Sequence, residues 1–493
     1  MRIFELCVHA DGKTHRVSAD SGKSIWESLR AEGFIVNAPC AGRGVCGKCR
    51  VLCKGLLRSL DGDTVQYVDG SVPSCRYAPA GDGEVWLSCE RMRIAAGPAV
   101  KLRGGGEGKG LAVDLGTTTV AAAVYDLETG DCIRQIAAPN AQRACGADVI
   151  SRMERCRRGE LAELVGITKK QLAEFTAGER IDRVSLVGNT VMEHLAAGLD
   201  PSSIAVPPFA VQSLFGEETL SDIWDSKNTY FARCVSGYVG GDVLAGMLSC
   251  GLHNSETTQL YVDIGTNGEI AVGDKHGYTL CATAAGPAFE GATIECGMSA
   301  MPGAVDRVWT ENGEICCHVI GETAAKGLCG SGLIDAAAVL LDLKLISKSG
   351  RLIPKEKAPE NLRERFCIRS GVRAFLLCDE VYITLHDIHS VQLAKAAIRA
   401  GIETVSAGKT VERITVAGGF GQYMNIRSAV RIGLLPDGKN ITQAGNAAAV
   451  GAALLLRDEA RAELRELAEK CVYVDLSSSV EFARRYIELL NFE

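Results

Sequence analysis

The chain states one short pattern twice: Val113-Asp114-Leu115-Gly116-Thr117-Thr118-Thr119, and then Val262-Asp263-Ile264-Gly265-Thr266-Asn267-Gly268. The two aspartates stand 149 positions apart (263 minus 114), and a repeat of this kind predicts two similar half-domains facing each other. Each copy is an apolar, β-branched strand ending in Asp, followed by a Gly-Thr turn and a second strand (Val120 to Tyr125; Glu269 to Val272), the pattern of a tight hairpin. Gly116 and Gly265 let the backbone approach an anion closely. Successive N–H groups and the side chains of Thr117, Thr118, Thr119, Thr266 and Asn267 are suited to phosphate oxygens, and Asp114 and Asp263 to a hydrated Mg²⁺. One such turn alone is an ordinary hairpin. Two turns, one from each half, make a clamp for one nucleoside triphosphate.

At 493 residues and 47% hydrophobic, the chain has roughly three domains' worth of length and can bury large cores. A net charge of −7 with 5% aromatic residues supplies no basic, aromatic-interleaved surface and argues against nucleic acid as a partner. No apolar run approaches the roughly 18 residues of a membrane span, and Met1-Arg2-Ile3-Phe4-Glu5-Leu6 lacks a signal-peptide pattern. A cytoplasmic protein without a membrane partner is expected. Its 20 cysteines then point to metal ligation plus small buried thiols rather than to disulfides.

The chain opens with alternating runs around Asp11-Gly12, and Ser24 to Glu32 reads as a helix capped by Ser24 or Ser21 and stopped by Gly33. Hairpin followed by helix begins a β-grasp fold. Next come Cys40, Cys46 and Cys49, interrupted by glycines, a loop able to wrap a metal cluster with its N–H groups turned towards sulfur. It resembles the cluster loop of [2Fe–2S] ferredoxins, with one residue more in the first gap than the plant-type spacing. Zinc sites favour two separated short Cys pairs instead. For the fourth ligand, Cys89 is the first choice, because Glu84 to Cys89 is strand-like and can return beneath the loop. Cys75, in a turn-rich excursion, is the alternative, while Cys53 alternates along a strand and reads as core. Residues 96–109, which include most of a glycine run, read as a flexible linker after a head of residues 1–95.

Residues 110–258 make the first predicted half-domain. Val184 to Thr190 is a buried strand running into a helix, where Gly188 and Asn189 offer another meeting of backbone amides with phosphate. His194 inside that helix reads as a packed residue. Asp242 opens a further helix, either as a metal- or water-orienting carboxylate or as its N-cap. Residues 259–493 make the second half, with a C-terminal helical tail. Its Gly286 to Gly291 run carries Glu290. Gly330-Ser331-Gly332 starts an apolar helix and suits nucleotide contacts, and Gly418-Gly419-Phe420 follows a strand with the side-chain-free surface that adenine and ribose need. Gly445 to Gly451 begins a small-residue helix able to pack closely.

These motifs, in this order, resemble the acetate kinase, sugar kinase and actin-like ATPase superfamily. With the ferredoxin-like head attached, the chain looks like the reductive activators of corrinoid proteins. The resemblance implies an α/β protein: a β-grasp ferredoxin domain followed by a two-lobed, actin-like or sugar-kinase-like ATPase built on a duplicated ribonuclease H-like unit. It departs in one respect. Members carry a further middle domain between head and ATPase, whereas here only a short linker intervenes.

The resemblance also implies ATP, Mg²⁺ and a [2Fe–2S] cluster as cofactors. Its partners are a corrinoid protein of a methyltransferase system and a low-potential donor such as a ferredoxin or flavodoxin, and a homodimer is possible. Asp114, Asp263, Asp242 and Glu290 are the candidates for positioning the attacking water. The implied activity is repair, an ATP-dependent electron transfer from the cluster to Co(II) that regenerates Co(I). A plant-type cluster sits near about −400 mV, and each roughly 59 mV of mismatch costs a factor of ten in a one-electron equilibrium, so lobe closure on ATP would have to ease the reduction. Two further readings are a small-molecule kinase with a redox-sensing head and a dehydratase-type activator, the latter disfavoured by a complete cysteine quartet in a separate head.

Overall fold

The structure is a computed structural model that describes residues 2–10, 13–32, 34, 36, 42, 44, 47, 49–62, 64–87, 99–146, 148–176, 179–221, 227–291, 293–438 and 440–493. The N-terminal sheet has five strands in the order Lys13–Asp20, Ile3–Ala10, Tyr77–Trp86, Arg50–Ser59 and Val65–Pro73. Ile3–Ala10 and Tyr77–Trp86 run parallel, while Lys13–Asp20 folds back antiparallel. One face of this sheet packs the helix Ile25–Ala31, burying Leu6, Val8, Ile25, Leu29, Val51 and Val85 in a single core. This is the expected β-grasp arrangement. Ser24 caps the helix: its hydroxyl accepts from Glu27 N (3.2 Å) while the Glu27 carboxylate accepts from Ser24 N (2.8 Å), satisfying two amides that a helix start leaves without partners. Cys53 alternates inward and is buried, as its strand position predicts.

The repeat becomes two sheets of matching topology. In the first, Lys109–Leu115, Thr119–Asp126 and Cys132–Pro139 form an antiparallel meander, Arg183–Gly188 lies parallel to the first of these strands, and Lys227–Phe231 lies parallel beyond it. In the second, Gln259–Ile264, Gly268–Asp274 and Gly277–Thr283 form the meander, and Arg413–Ala417 and Asn440–Gly445 take the two parallel places. The duplicated fold predicted from the two Asp-Gly-Thr turns is therefore present.

Two helices of small residues, Gly241–Ser249 and Ala447–Leu454, cross between the sheets and share one core drawn from both halves, including Ala112, Val187, Leu244, Tyr261, Ala271 and Ala452. The crossing is close enough that a Cβ on Gly451 would lie 2.2 Å from the Ala245 carbonyl oxygen, and one on Gly246 would lie 2.0 Å from the Tyr261 hydroxyl. Among the described residues, no helix is long and apolar enough to cross a membrane.

The glycine run read as a flexible linker is corrected over the part the structure describes. Leu102, Gly105 and Gly106 donate their amides to the carbonyls of Gly130, Glu128 and Leu127 at 2.8, 3.0 and 2.9 Å, so this stretch is laid along the first half rather than hung free. The glycines serve close approach: a Cβ on Gly104 would meet the Glu128 oxygen at 2.4 Å. Residues 96–98 lie outside the described residues.

Candidate functional site

Both repeated turns open into one cleft of about 430 Å³ between the halves. The Lys109–Leu115 and Gln259–Ile264 strands deliver Asp114 and Asp263 to its floor, and the following turns place Gly116, Thr117, Thr118, Thr119, Gly265, Thr266 and Asn267 along its walls. Asn189, Asp242, Glu290, Gly330, Ser331, Gly418, Gly419 and Phe420 also line it. The turns are braced from behind. Asn189 donates to the Thr117 hydroxyl (2.9 Å) while capping its own helix, and the buried Arg152 donates to the Thr117 carbonyl (2.5 Å). Gly418 adopts φ +92°, and a Cβ there would lie 2.7 Å from the Asp263 carboxylate, so the Gly-Gly segment and the second turn touch only because that position is bare.

Two predicted residues stand behind the wall instead. A Cβ on Gly188 would meet the Leu115 oxygen at 2.9 Å, and one on Gly332 would meet the Val305 oxygen at 2.3 Å. Both glycines permit backbone packing; neither lines the cleft. Ser331 lines it, but its hydroxyl donates to the Asp306 carbonyl (2.9 Å). Gly240, not Asp242, is the N-cap of Gly241–Ser249, which leaves the Asp242 carboxylate facing the cleft. His194 is packed as predicted, its Nδ1 2.6 Å from the Thr190 oxygen and its ring edge-on to Phe215. Sequence reasoning missed Arg143, Asp148, Glu269, Asn446 and Tyr423 in the lining. Of these, only Glu269 carried a signal, as the residue directly after the second turn.

The electrostatics of the cleft favour a bound cation. Burial pushes Asp114 up to about 7, opposed by the Asn446 side-chain amide and reinforced by Asp263. Burial, with Asp263 and Asp114 nearby, pushes Asp242 up to about 8, and burial pushes Asp263 up to about 6 against a hydrogen bond from Tyr261. Burial, reinforced by the nearby aspartates, raises Glu269 in the lining well above the usual carboxylate range, and burial with Asp242 nearby does the same to the fully buried Glu193. Desolvated like charges cannot all ionise unless positive charge arrives.

A pH dependence follows. Below the ordinary aspartate value of 3.8 both folded and unfolded chains hold these protons, and the stability is fully present. As pH rises, the unfolded chain releases protons that the folded chain keeps, so stability declines until Asp242 ionises near 8. The thermal midpoint should therefore fall between pH 6 and 8.5, and a divalent cation with nucleotide should restore more at pH 8.5 than at pH 6. A midpoint that rises over this range, with the same cation effect at both pH values, would contradict the assignment.

In the head, two buried thiols meet: the Cys49 and Cys75 sulfurs lie 3.2 Å apart and are not bridged. Ser74 donates its amide and hydroxyl to the Cys49 carbonyl at 2.8 and 2.7 Å, and Arg76 donates through Nε to the Gly44 carbonyl at 3.0 Å. The 74–76 turn is thus fastened to Gly44 and Cys49. Cys40, Cys46 and Cys89 lie outside the described residues, and among the described residues no group of three or more His, Cys, Asp or Glu gathers at metal-ligand distance.

Residues 257–493 match the family model described as the C-terminal domain of RACo, the ASKHA domain, and residues 109–255 match the one described as the RACo middle region. The expected departure is thereby corrected: the residues read as the first ATPase half are themselves the family's middle region, so that region is present. The corrinoid activation enzyme RamQ of Eubacterium limosum is 34% identical over 414 residues, spanning 77% of this chain and 69% of the relative. The [Co(II) methylated amine-specific corrinoid protein] reductase of Methanosarcina barkeri is 25% identical over 437 residues, spanning 78% and 77%. A solved reductive activator for corrinoid, iron-sulfur protein superposes with a TM-score of 0.68 at 27% identity, over 99% of this chain and 98% of that one.

Proposed function

Because the chain belongs to the family of reductive activators of corrinoid proteins, we propose that it is an ATP-dependent Co(II) corrinoid reductase. It passes an electron from a [2Fe–2S] cluster in the head to cobalt and restores Co(I) for methyl transfer. The observation that carries this reading is the joint presence of a two-turn, carboxylate-floored cleft and a head whose two buried thiols meet. A kinase needs only the first of these.

The residues fit the cofactors. Phosphates would lie between the two Gly-Thr turns, Asp114, Asp242 and Asp263 would hold a hydrated Mg²⁺ through its waters and orient the attacking water, and the bare Gly418-Gly419 segment would receive the nucleoside. In the head, Cys40, Cys46 and Cys49 are completed by Cys75, in place of the first choice, Cys89. Cys53 remains a core residue, turned inward by the alternation of its strand. When bound, the cluster supplies a low-potential one-electron store. Arg76 and Ser74 hold the loop around it, and glycine is needed at position 42, where φ is +79° and a Cβ would lie 2.5 Å from the Trp26 ring. A ferredoxin or flavodoxin as donor, a homodimer and a cytoplasmic location complete the proposal.

The test is anaerobic electron paramagnetic resonance of the reduced protein with a Co(II) corrinoid protein. The expected result is a [2Fe–2S] signal and a Co(II) signal that disappears only when ATP is added. A cluster signal with Co(II) unaffected by ATP would refute the reductase reading.

A further inference from the structure

The charge of the cleft is lopsided. Six acids line it, and among the described residues in that lining the single base is Arg143. Arg143 sits on the short turn Ala141–Ala144, which is fixed to the first phosphate turn: Asn140 donates its amide to the Thr118 carbonyl (2.9 Å) and its side-chain amide to the Gly116 carbonyl (2.7 Å). Gln142, next to Arg143, is held in turn by the Leu164 carbonyl (2.9 Å) and the Thr168 hydroxyl (2.7 Å). The guanidinium is therefore carried on a braced support beside Thr117 and Thr118.

Glu290 comes from the other half of the molecule. Its carboxylate accepts from the Thr118 hydroxyl at 3.3 and 3.4 Å and from the Thr266 hydroxyl, so one anionic group joins both phosphate turns. The same carboxylate acts on the Arg143 guanidinium, which burial otherwise disfavours. Two hydroxyls donating to one carboxylate, with a guanidinium in the same lining under that carboxylate's charge, form a donor set that also suits a terminal phosphoryl group.

We propose that Arg143 binds the terminal phosphate of the triphosphate and that Glu290 is an internal anion competing with that phosphate for Arg143 and the two threonine hydroxyls. This rests on the reading of the cleft as a triphosphate site. On binding, the phosphate takes over the three donors, and the released Glu290 carboxylate is left beside the terminal phosphate and free to accept from water. The cleft then discriminates triphosphate from diphosphate by the exchange of one anion for another.

Titration calorimetry on the full-length protein, with Mg²⁺ present, tests this with ADP, a β,γ-imido ATP analogue and inorganic triphosphate. Arg143→Gln should weaken the analogue and inorganic triphosphate by about tenfold or more, the scale of a lost charge-assisted pair, and ADP by less than about threefold. Arg143→Lys, which keeps the charge without the fork, should fall between. Glu290→Gln should tighten both triphosphates several-fold by removing the competitor. Equal losses for ADP and the analogue, or weaker triphosphate binding by Glu290→Gln, would overturn the proposal. Arg143-dependent binding of inorganic triphosphate without any preference for nucleotides would leave it standing and refute the nucleotide reading. A wild-type protein that binds none of the three ligands would overturn both.

Discussion

Replacing Cys75 with serine is expected to abolish assembly of the [2Fe–2S] cluster, whereas Cys89→Ser should leave the visible absorbance and the paramagnetic signal of the reduced protein in place. Such a cluster takes four thiolates, two to each iron. The 3.2 Å approach of the Cys49 and Cys75 sulfurs is what supports Cys75 as the thiolate that would complete the ligand set alongside Cys49. The Ser74 and Arg76 hydrogen bonds, which tie its turn to the Cys49 and Gly44 carbonyls, keep it there. Serine removes the soft ligand with little change of volume, so loss of the cluster without loss of the fold is the expected phenotype. Far-ultraviolet circular dichroism on the same sample separates the two. A colourless Cys89→Ser protein beside a coloured Cys75→Ser protein would reverse the assignment.

Asp263→Asn should lower ATP hydrolysis by about 10²- to 10⁴-fold, the usual range for a lost positioned acid or base, and at the same time make the nucleotide-free protein more stable at pH 8. The two effects have one cause. Asp263 is pushed from 3.8 up to about 6 by burial, and its charge raises both Asp114 and Asp242. With each pKa unit equivalent to about 1.4 kcal/mol, holding Asp263 ionised at pH 8 costs roughly 3 kcal/mol. Asparagine removes that cost. Its carbonyl oxygen still accepts from the Tyr261 hydroxyl, which lies 3.3 Å from Oδ2. Steady-state hydrolysis and thermal unfolding at pH 8 read the two arms separately. Wild-type turnover, or a lower unfolding midpoint, would remove Asp263 from the role given to it.

Most of the local structure was legible because it is written in neighbours. Ser24 with Glu27, and the Asp-Gly-Thr turns, act over three or four positions, and their chemistry is the same wherever the segment lies. The glycines were legible only as glycines. Whether Gly104 marks a flexible tether or a close approach depends on the Glu128 carbonyl 24 positions on, and whether Gly332 meets ligand or backbone depends on Val305. A missing side chain has both meanings, and the sequence does not separate them. Arg143 was overlooked for a related reason: a single arginine on a short turn has no pattern until something places it in a cleft of acids.

The duplicated lobes and the family were thus determined by the sequence alone, since repeated strand-turn-strand signals and ordered motifs survive in one dimension. Which groups share a site was decided only by the tertiary structure. Asn446 donates to Asp114 across 332 positions, and Thr118 donates to Glu290 across 172. Those contacts exist because Gly241–Ser249 and Ala447–Leu454 are bare enough to cross closely and bring the two sheets' turns to one cleft. The raised carboxylates follow from the same crossing, because desolvation is a property of the closed cleft and of no single segment.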